Sequence, residues 1–293
     1  MKTTKTKTVL YHANCPDGFG AALAAWLKFG AAADYIPVNY GAPPPEIQDG
    51  NDVFIVDFSY PRPVLEDMSK RYRLRVLDHH HTAEQDLAGL AFARFDMTKS
   101  GARMAWEFFH PERPVPDLIR YVEDRDLWRF ALPESREVSA ALSSYPLTFE
   151  IWSAFCDDPD YDKHLGQEGA AILRMKNQMV DVMAKQARQV IFLTQGPRLT
   201  IAPLPECGFI APHGDHSAEG RFYAPVANAT VFFSEVGERL LELHPKAEFA
   251  AYYLDRGDGS RQWGLRARPS FDCSIIAKAF GGGGHKAAAG FTR

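Results

Sequence analysis

The chain reads as an α/β protein in two parts, on three features of its pattern. Short apolar, β-rich runs alternate with helical patterns through about the first 100 residues. A helix-patterned stretch without a strand follows, from about Asp158 to Gln189. Strand and helix patterns then resume as far as a glycine run near the C-terminus. At 293 residues the chain is long for one ordinary core and comfortable for two. The division expected is a mostly parallel-sheet domain over 1–157, a helical connector over 158–189 and a smaller α/β domain over 190–293.

In the first part the strand candidates are Thr8–His12, Asp34–Val38, Val53–Asp57, Leu74–Leu77 and Ala91–Phe95. Helical patterns at Gly18–Phe29, Pro63–Tyr72 and near His81–Leu87 lie between them. βαβ units produce this rhythm, and they imply a sheet covered on both faces. Gly101–Phe109 and Asp117–Val122 read as further helices, with Ser100 placed to cap the first. In the connector Ala170, Leu173, Met175, Met179, Val182, Met183 and Val190 recur mostly at three- or four-residue spacing, after a turn at Asp157–Asp160. Strands are then expected at Val190–Thr194, Leu199–Ala202, near Glu248–Leu254 and at Gln262–Arg266, with helices at Ser234–His244 and Cys273–Phe280. Pro203 to Ala224, rich in Pro, Gly and His, reads as an irregular insertion. Its His213-Gly-Asp215-His216 is read as a solvated loop rather than a ligand set.

No apolar run approaches the roughly 18 residues that span a bilayer, so no membrane partner is expected. The basic N-terminal segment lacks an apolar stretch and a small-residue cleavage site, which predicts no signal peptide. Cys15, Cys156, Cys207 and Cys273 are scattered and form no CxxC pair, which fits reduced thiols in a cytoplasm. The net charge of −4 argues against a protein that coats long nucleic acid by charge alone. From residue 190 onward 11 Lys/Arg face 10 Asp/Glu, leaving 22 against 27 before it. An acidic first part suits a site that concentrates divalent cations; the basic stretch Arg256–Arg268 suits an anionic substrate.

Polar residues collect where the first strands end. His12 ends the first and Asp17 follows it; Asp57 ends the third; Asp78-His79-His80-His81 follows the fourth. In an open parallel sheet those carboxyl ends share one crevice. Carboxylate and imidazole donors without thiolate favour Mn²⁺ or Mg²⁺. A bridging carboxylate can hold two ions about 3.5–4 Å apart, close enough to polarise a phosphoryl group and activate water. Each residue also has a plainer role available: Asp57 as a turn residue, the histidine run as a surface cluster, Gly18 and Gly20 as a bend into a helix. Cys15 is read as unreactive, and Trp26, Trp106, Phe108 and Phe109 as core.

Asp78-His79-His80 after a strand, preceded by His12, Asp17-Gly18 and Val56-Asp57, resembles the first three motifs of the DHH phosphoesterase superfamily. The tail Gly281-Gly282-Gly283-Gly284-His285, continuing to Gly290-Phe291, resembles the GGGH motif of the DHH-associated C-terminal domain. The two ends match two halves of one architecture, with the nanoRNase and exopolyphosphatase-related branch nearest in pattern. The resemblance implies two manganese ions, with magnesium as a substitute. His12 and Asp17 would hold one, Asp57 would bridge, and His79 would hold the other. Asp126 would complete the set, with Asp124 as its rival. His80 would donate to the scissile phosphate and Asp78 would orient its neighbours. Arg266, Gly282, Gly283, Gly284 and His285 would grip the substrate's phosphates, with Arg268 a weaker candidate. The sequence departs from the family at Phe19, where many members carry an acid. The second metal would then be a ligand short unless Asn14 or water supplies it, and Phe19→Asp would tighten it.

The leading expectation is a metal-dependent phosphodiesterase or exonuclease acting on short oligonucleotides. A nucleotide phosphatase acting on 3′-phosphoadenosine 5′-phosphate, a cyclic-dinucleotide phosphodiesterase, and polyphosphate or pyrophosphate hydrolysis are alternatives. A nucleotide-binding regulator with a degenerate metal site is the alternative of another class. Homodimerisation stays open.

Overall fold

The computed structural model describes residues 6–204 and 220–293, which form a mixed α/β protein of two sheets. They divide into two compact units, Met1–Leu173 and Arg174–Arg293. Cys207 and the His213-Gly-Asp215-His216 group lie outside the described residues.

In the first unit β1 (Lys7–His12), β2 (Ala33–Val38), β3 (Asp52–Val56), β4 (Arg73–Asp78) and β5 (Ala93–Phe95) form one sheet in the order β2-β1-β3-β4-β5. Every pairing in it is parallel. Alternation along the strands supplies a core on each face. Val9, Val56 and Leu77 pack with α1 (Pro16–Phe29), α4 (Gly101–Phe109) and α5 (Asp117–Asp126). Leu10, Ile55 and Val76 face α2 (Arg62–Arg71) through Leu65 and Met68. The central strand β3 is apolar on both sides after Asp52, as burial of a parallel sheet requires. The chain leaves β1 toward β2 and returns to β3 on its other side. The sheet therefore reverses direction between β1 and β3, where the carboxyl ends open a crevice.

Ser100 caps α4 by accepting the Arg103 N–H. Helix α3 (His81–Asp86) follows β4, and α5 runs four residues beyond its expected end at Val122. Two helices, α6 (Ser135–Leu142) and α7 (Phe149–Asp157), were not expected. Thr148 accepts the Ile151 N–H at the start of α7, and Trp152 anchors that helix fully buried. Phe108, expected in the core, is 37% exposed, while Trp106 and Phe109 are buried.

The long α8 (Tyr161–Ala184) contains the division between the units. Tyr161 and Leu165 belong to the first core, whereas Val180 and Ala184 pack with Val236 and Leu240 of α9 (Phe233–Leu243). Met175, Met179 and Val182, apolar in sequence, are exposed.

The second unit holds β6 (Arg188–Leu193), β7 (Arg198–Pro203), β8 (Arg221–Asn228), β9 (Phe249–Asp255), β10 (Arg261–Ala267), β11 (Gly283–Gly284) and β12 (Ala288–Thr292). Their order is β11-β12-β10-β9-β8-β6-β7, antiparallel except for β8 with β9. Strand β8 begins inside the stretch expected to be irregular. Its alternating Phe222, Ala224 and Val226 are buried, a pattern that Pro225 disguises in sequence. Helix α10 (Ser274–Ala279) leads into the glycine run.

Candidate metal centre

The reversal point of the first sheet collects the polar strand ends. His12 is the last residue of β1, Asp57 follows β3, and Asp78-His79 closes β4. Helix α1 starts at Pro16, where a missing N–H costs nothing, and this brings Asp17 into its first turn. A side chain at Gly18 would lie 2.3 Å from the His12 carbonyl, so only glycine lets the helix start this close to the strand. Asp57 adopts the left-handed conformation at φ 55°, costly for a residue with a side chain, and donates its N–H to Leu77 O. A Cβ on Gly101 would fall 2.4 Å from that of Asp57, so the start of α4 fits against the carboxylate only as glycine.

Five of the sequence-predicted residues meet here. His79 Nε2 lies 3.1 Å from Asp57 Oδ1, 3.4 Å from Asp17 Oδ2 and 3.6 Å from Asp126 Oδ2. The second oxygen of Asp57 faces His12 Nδ1 at 3.5 Å, so this carboxylate presents one oxygen to each imidazole. Asp17 accepts the N–H groups of Gly101 and Ala102 at 2.7 and 2.9 Å, which fixes it against the positive end of α4. Asp57, Asp17 and His79 are buried, and Asp126 keeps its side chain 28% exposed.

Asp78 sits behind this group, fully buried. It accepts from Ser59 Oγ at 2.7 Å and from the His79 N–H at 2.8 Å, and it pairs with His80 Nδ1 at 2.6 Å. That pairing sets the ring of His80, whose edge also meets Tyr40. Asp124 and Asp126 separate cleanly. Asp124 accepts from the Ala131 and Leu132 N–H groups and from Ser135 Oγ, holding the turn after α5 together, whereas Asp126 reaches the cluster.

Three clustered carboxylates call for a positive charge. Burial, then the Asp57 and Asp126 charges, push Asp17 well above the usual carboxylate range; burial also raises Asp126. Asp57 goes the other way: burial is outweighed by hydrogen bonds to His12 and His79. Burial opposes charge on His79, but its Asp57 hydrogen bond and the surrounding carboxylates hold the imidazole up at about 10. The middle of the acidic group thus favours positive charge, and its donor chemistry fits a divalent cation. Asp17, His79 and Asp126 each offer an atom within 4.8 Å of the others, as do His12, Cys15 and Asp57.

Ser59 is the neighbour that sequence reasoning passed over, and Cys15 the one it discounted as unreactive. The thiol of Cys15 is pushed well up by burial and by Asp57, Asp126 and Asp17. Its position between His12 and Asp17 was the signal available. The expectation about position 19 is corrected. Residues 17 and 19 point about 200° apart on a helix, and Phe19 is buried against Phe149 and Trp152 at ring separations of 5.0 and 5.1 Å. An acid there would enter the core rather than the crevice. Asn14 is exposed, with φ 55°.

In the second unit Arg266 lies on β10 opposite Ala288 of β12, and the turn beyond Ala288 is closed by the His285 N–H donating to Ala288 O. Arg266 and His285 therefore share one end of this sheet. Arg268 donates to Leu241 O and Ala247 O, securing the end of α9. The glycine run makes a tight hairpin: Gly282 donates to Ala277 O, and Gly283 and Gly284 pair with Gly290 and Ala289. A Cβ on Gly282 would lie 2.0 Å from Gly290 O.

No family model matches the chain. Uncharacterized protein R106 of Acanthamoeba polyphaga mimivirus is 28% identical over 304 residues, covering 96% of this chain. The chain spans 66% of that relative's length. Among solved structures, the pGpG-specific phosphodiesterase PggH from Vibrio cholerae aligns with 98% of this chain and 93% of its own, at 14% identity and a TM-score of 0.46. RecJ from Thermus thermophilus in complex with Mn²⁺ aligns at 15% identity and a TM-score of 0.45, with 98% of this chain against 49% of that one.

Proposed function

We propose that this protein is a metal-dependent phosphoesterase that hydrolyses phosphodiester bonds in short oligonucleotides or small nucleotides. The observation that carries this is the convergence of Asp17, Asp57, Asp126 and His79 at the sheet's reversal point, with His12 on the far oxygen of Asp57. Asp17, Asp57, Asp126, His12 and His79 would hold the cations, with manganese favoured over magnesium because imidazole suits the softer ion. A bound divalent cation supplies Lewis-acid polarisation of the phosphoryl group.

The chain's own groups do the rest. Asp57 spans the two imidazoles, and the backbone of α4 holds Asp17 in place. The buried Asp78 orients the His80 ring and favours its charged form against the cost of burial. His80 is then a donor for a non-bridging phosphate oxygen. In the second unit Arg266 and His285, with Gly282, Gly283 and Gly284 shaping the adjoining hairpin, are assigned to binding the substrate's further phosphates. Modest net charge favours substrates of a few nucleotides over long duplexes.

The test is turnover of a labelled dinucleotide, 3′-phosphoadenosine 5′-phosphate and a cyclic dinucleotide by chelator-stripped protein, before and after adding Mn²⁺. Manganese-restored cleavage, fastest on the dinucleotide, is expected. Tight nucleotide binding without turnover under any divalent ion would make the protein a nucleotide-binding regulator instead.

A further inference from the structure

We infer that Cys15 is a thiolate ligand of the cation held by His12 and Asp57, which makes that half of the centre a mixed nitrogen, oxygen and sulfur site favouring soft ions. The inference rests on the metal-dependent reading above and sharpens which metals it admits. The Cys15 sulfur, a ring nitrogen of His12 and a carboxylate oxygen of Asp57 lie within 4.8 Å of one another. Metal–ligand lengths of about 2.0–2.3 Å place tetrahedral donors roughly 3.5 Å apart. His12 Nδ1 and Asp57 Oδ2 already stand 3.5 Å apart, and an ion would draw no pair of the three together by more than about 1.3 Å.

The placement of Cys15 supports this chemistry. It precedes α1 with extended backbone at φ −124° and ψ 129°, and its side chain makes no capping hydrogen bond to the helix. His12 ends β1 and Cys15 precedes α1 three residues later, while Asp57 follows β3, so the donors converge from two neighbouring strand ends. Position 19 sends its side chain into the core, so no acid from that position serves this ion. On coordination the S–H bond breaks, its electron pair forms the sulfur–metal bond, and the proton leaves to solvent. Sulfur in the donor set shifts preference from Mg²⁺ toward Co²⁺, Zn²⁺ and Cd²⁺.

The experiment is a Co²⁺ titration of the full chain, reduced and stripped of metal, followed by absorption spectroscopy. Cobalt d–d bands report occupation of the centre, and a near-ultraviolet sulfur-to-cobalt charge-transfer band reports a thiolate ligand. Wild-type protein is expected to show both. Cys15→Ser and Cys15→Ala, checked for folding by their melting transitions, should keep the d–d bands and lose the charge-transfer band. Their preference for Cd²⁺ over Mg²⁺ should fall by roughly tenfold or more. Cobalt bound to wild type without the charge-transfer band, or a band that survives both substitutions, would overturn the thiolate assignment and leave the metal centre standing. Failure of cobalt, manganese and cadmium to bind at all would instead remove the metal-dependent reading on which the inference rests.

Discussion

At the ends of β1, β3 and β4, titratable side chains are packed so closely that Asp57 takes a left-handed backbone and Gly101 gives up its side chain to make room. At the C-terminus the situation is reversed. Four successive glycines contribute no side chains, and the hairpin from Gly281 to Thr292 depends on backbone pairing and close approach. In the first region the residues matter for the charges they carry, so isosteric neutralisation should damage function and spare the fold. In the second, the glycines matter for the space they leave, and the proposed substrate contacts fall to the flanking Arg266 and His285.

The sharpest way to break that contrast is Asp57→Asn. Asparagine tolerates the left-handed backbone and fills the same volume, so folding should survive. The charge shared between His12 and His79 is lost, and metal-supported turnover should fall to background. Near-wild-type turnover by folded Asp57→Asn protein with Mn²⁺ would sink the proposed bridging role. The next largest effect concerns position 19. Phe19→Asp places an unpaired charge against Phe149 and Trp152. A destabilisation of about 3–5 kcal/mol is expected from the buried charge and lost packing. Denaturant unfolding measures it; unchanged stability with tighter metal binding would mean that residue 19 reaches the crevice after all.

That second prediction shows where the sequence was informative and where it was not. Short apolar, β-rich runs between turn signals placed all five strands of the first sheet, most plainly in β1 and β3, where burial on both faces keeps the strand centre apolar. The same reading brought His12, Asp17, Asp57 and His79 to one crevice, since the carboxyl ends of parallel strands must share it. Motif spacing could not say which way a side chain points on α1, and so it treated Phe19 as a missing ligand instead of a core residue. The choice between Asp124 and Asp126 was also closed to it. It turns on the hydrogen bonds that Ala131, Leu132 and Ser135 make to Asp124, and these residues follow in a segment with no regular pattern. Helices α6 and α7 were missed because short amphipathic segments flanked by prolines look like loop. Strand β8 was missed because Pro225 interrupts its alternation.

In the second region the contrast is sharpened with substrate size. Arg266→Ala and His285→Ala should reduce cleavage of dinucleotides far more than cleavage of bis-p-nitrophenyl phosphate, which has a single phosphate. Losing one charge-assisted hydrogen bond costs about 1.5–3 kcal/mol, or roughly 10–150-fold in kcat/KM. Equal loss on both substrates would mean that these residues serve the fold, and no loss on either would end their assignment to the substrate.

The smallest effect expected is the one that separates two arginines two residues apart. Arg266 and Arg268 lie in the same short basic stretch, and composition does not distinguish them. The structure gives Arg268 a task inside the unit: its guanidinium donates to Leu241 O and Ala247 O, carbonyls near the end of α9 that would otherwise lack this donor. Removing it should leave those carbonyls to water, a loss of about 1–2 kcal/mol, since the site is only partly buried. Arg268→Ala is therefore expected to lower the melting temperature of the protein while leaving the ratio of dinucleotide to bis-p-nitrophenyl phosphate turnover unchanged. Arg266→Ala should move that ratio. If Arg268→Ala shifted the ratio as strongly as Arg266→Ala, the basic stretch would act on substrate as a diffuse positive surface, and the distinction between a structural and a substrate-binding arginine would fail.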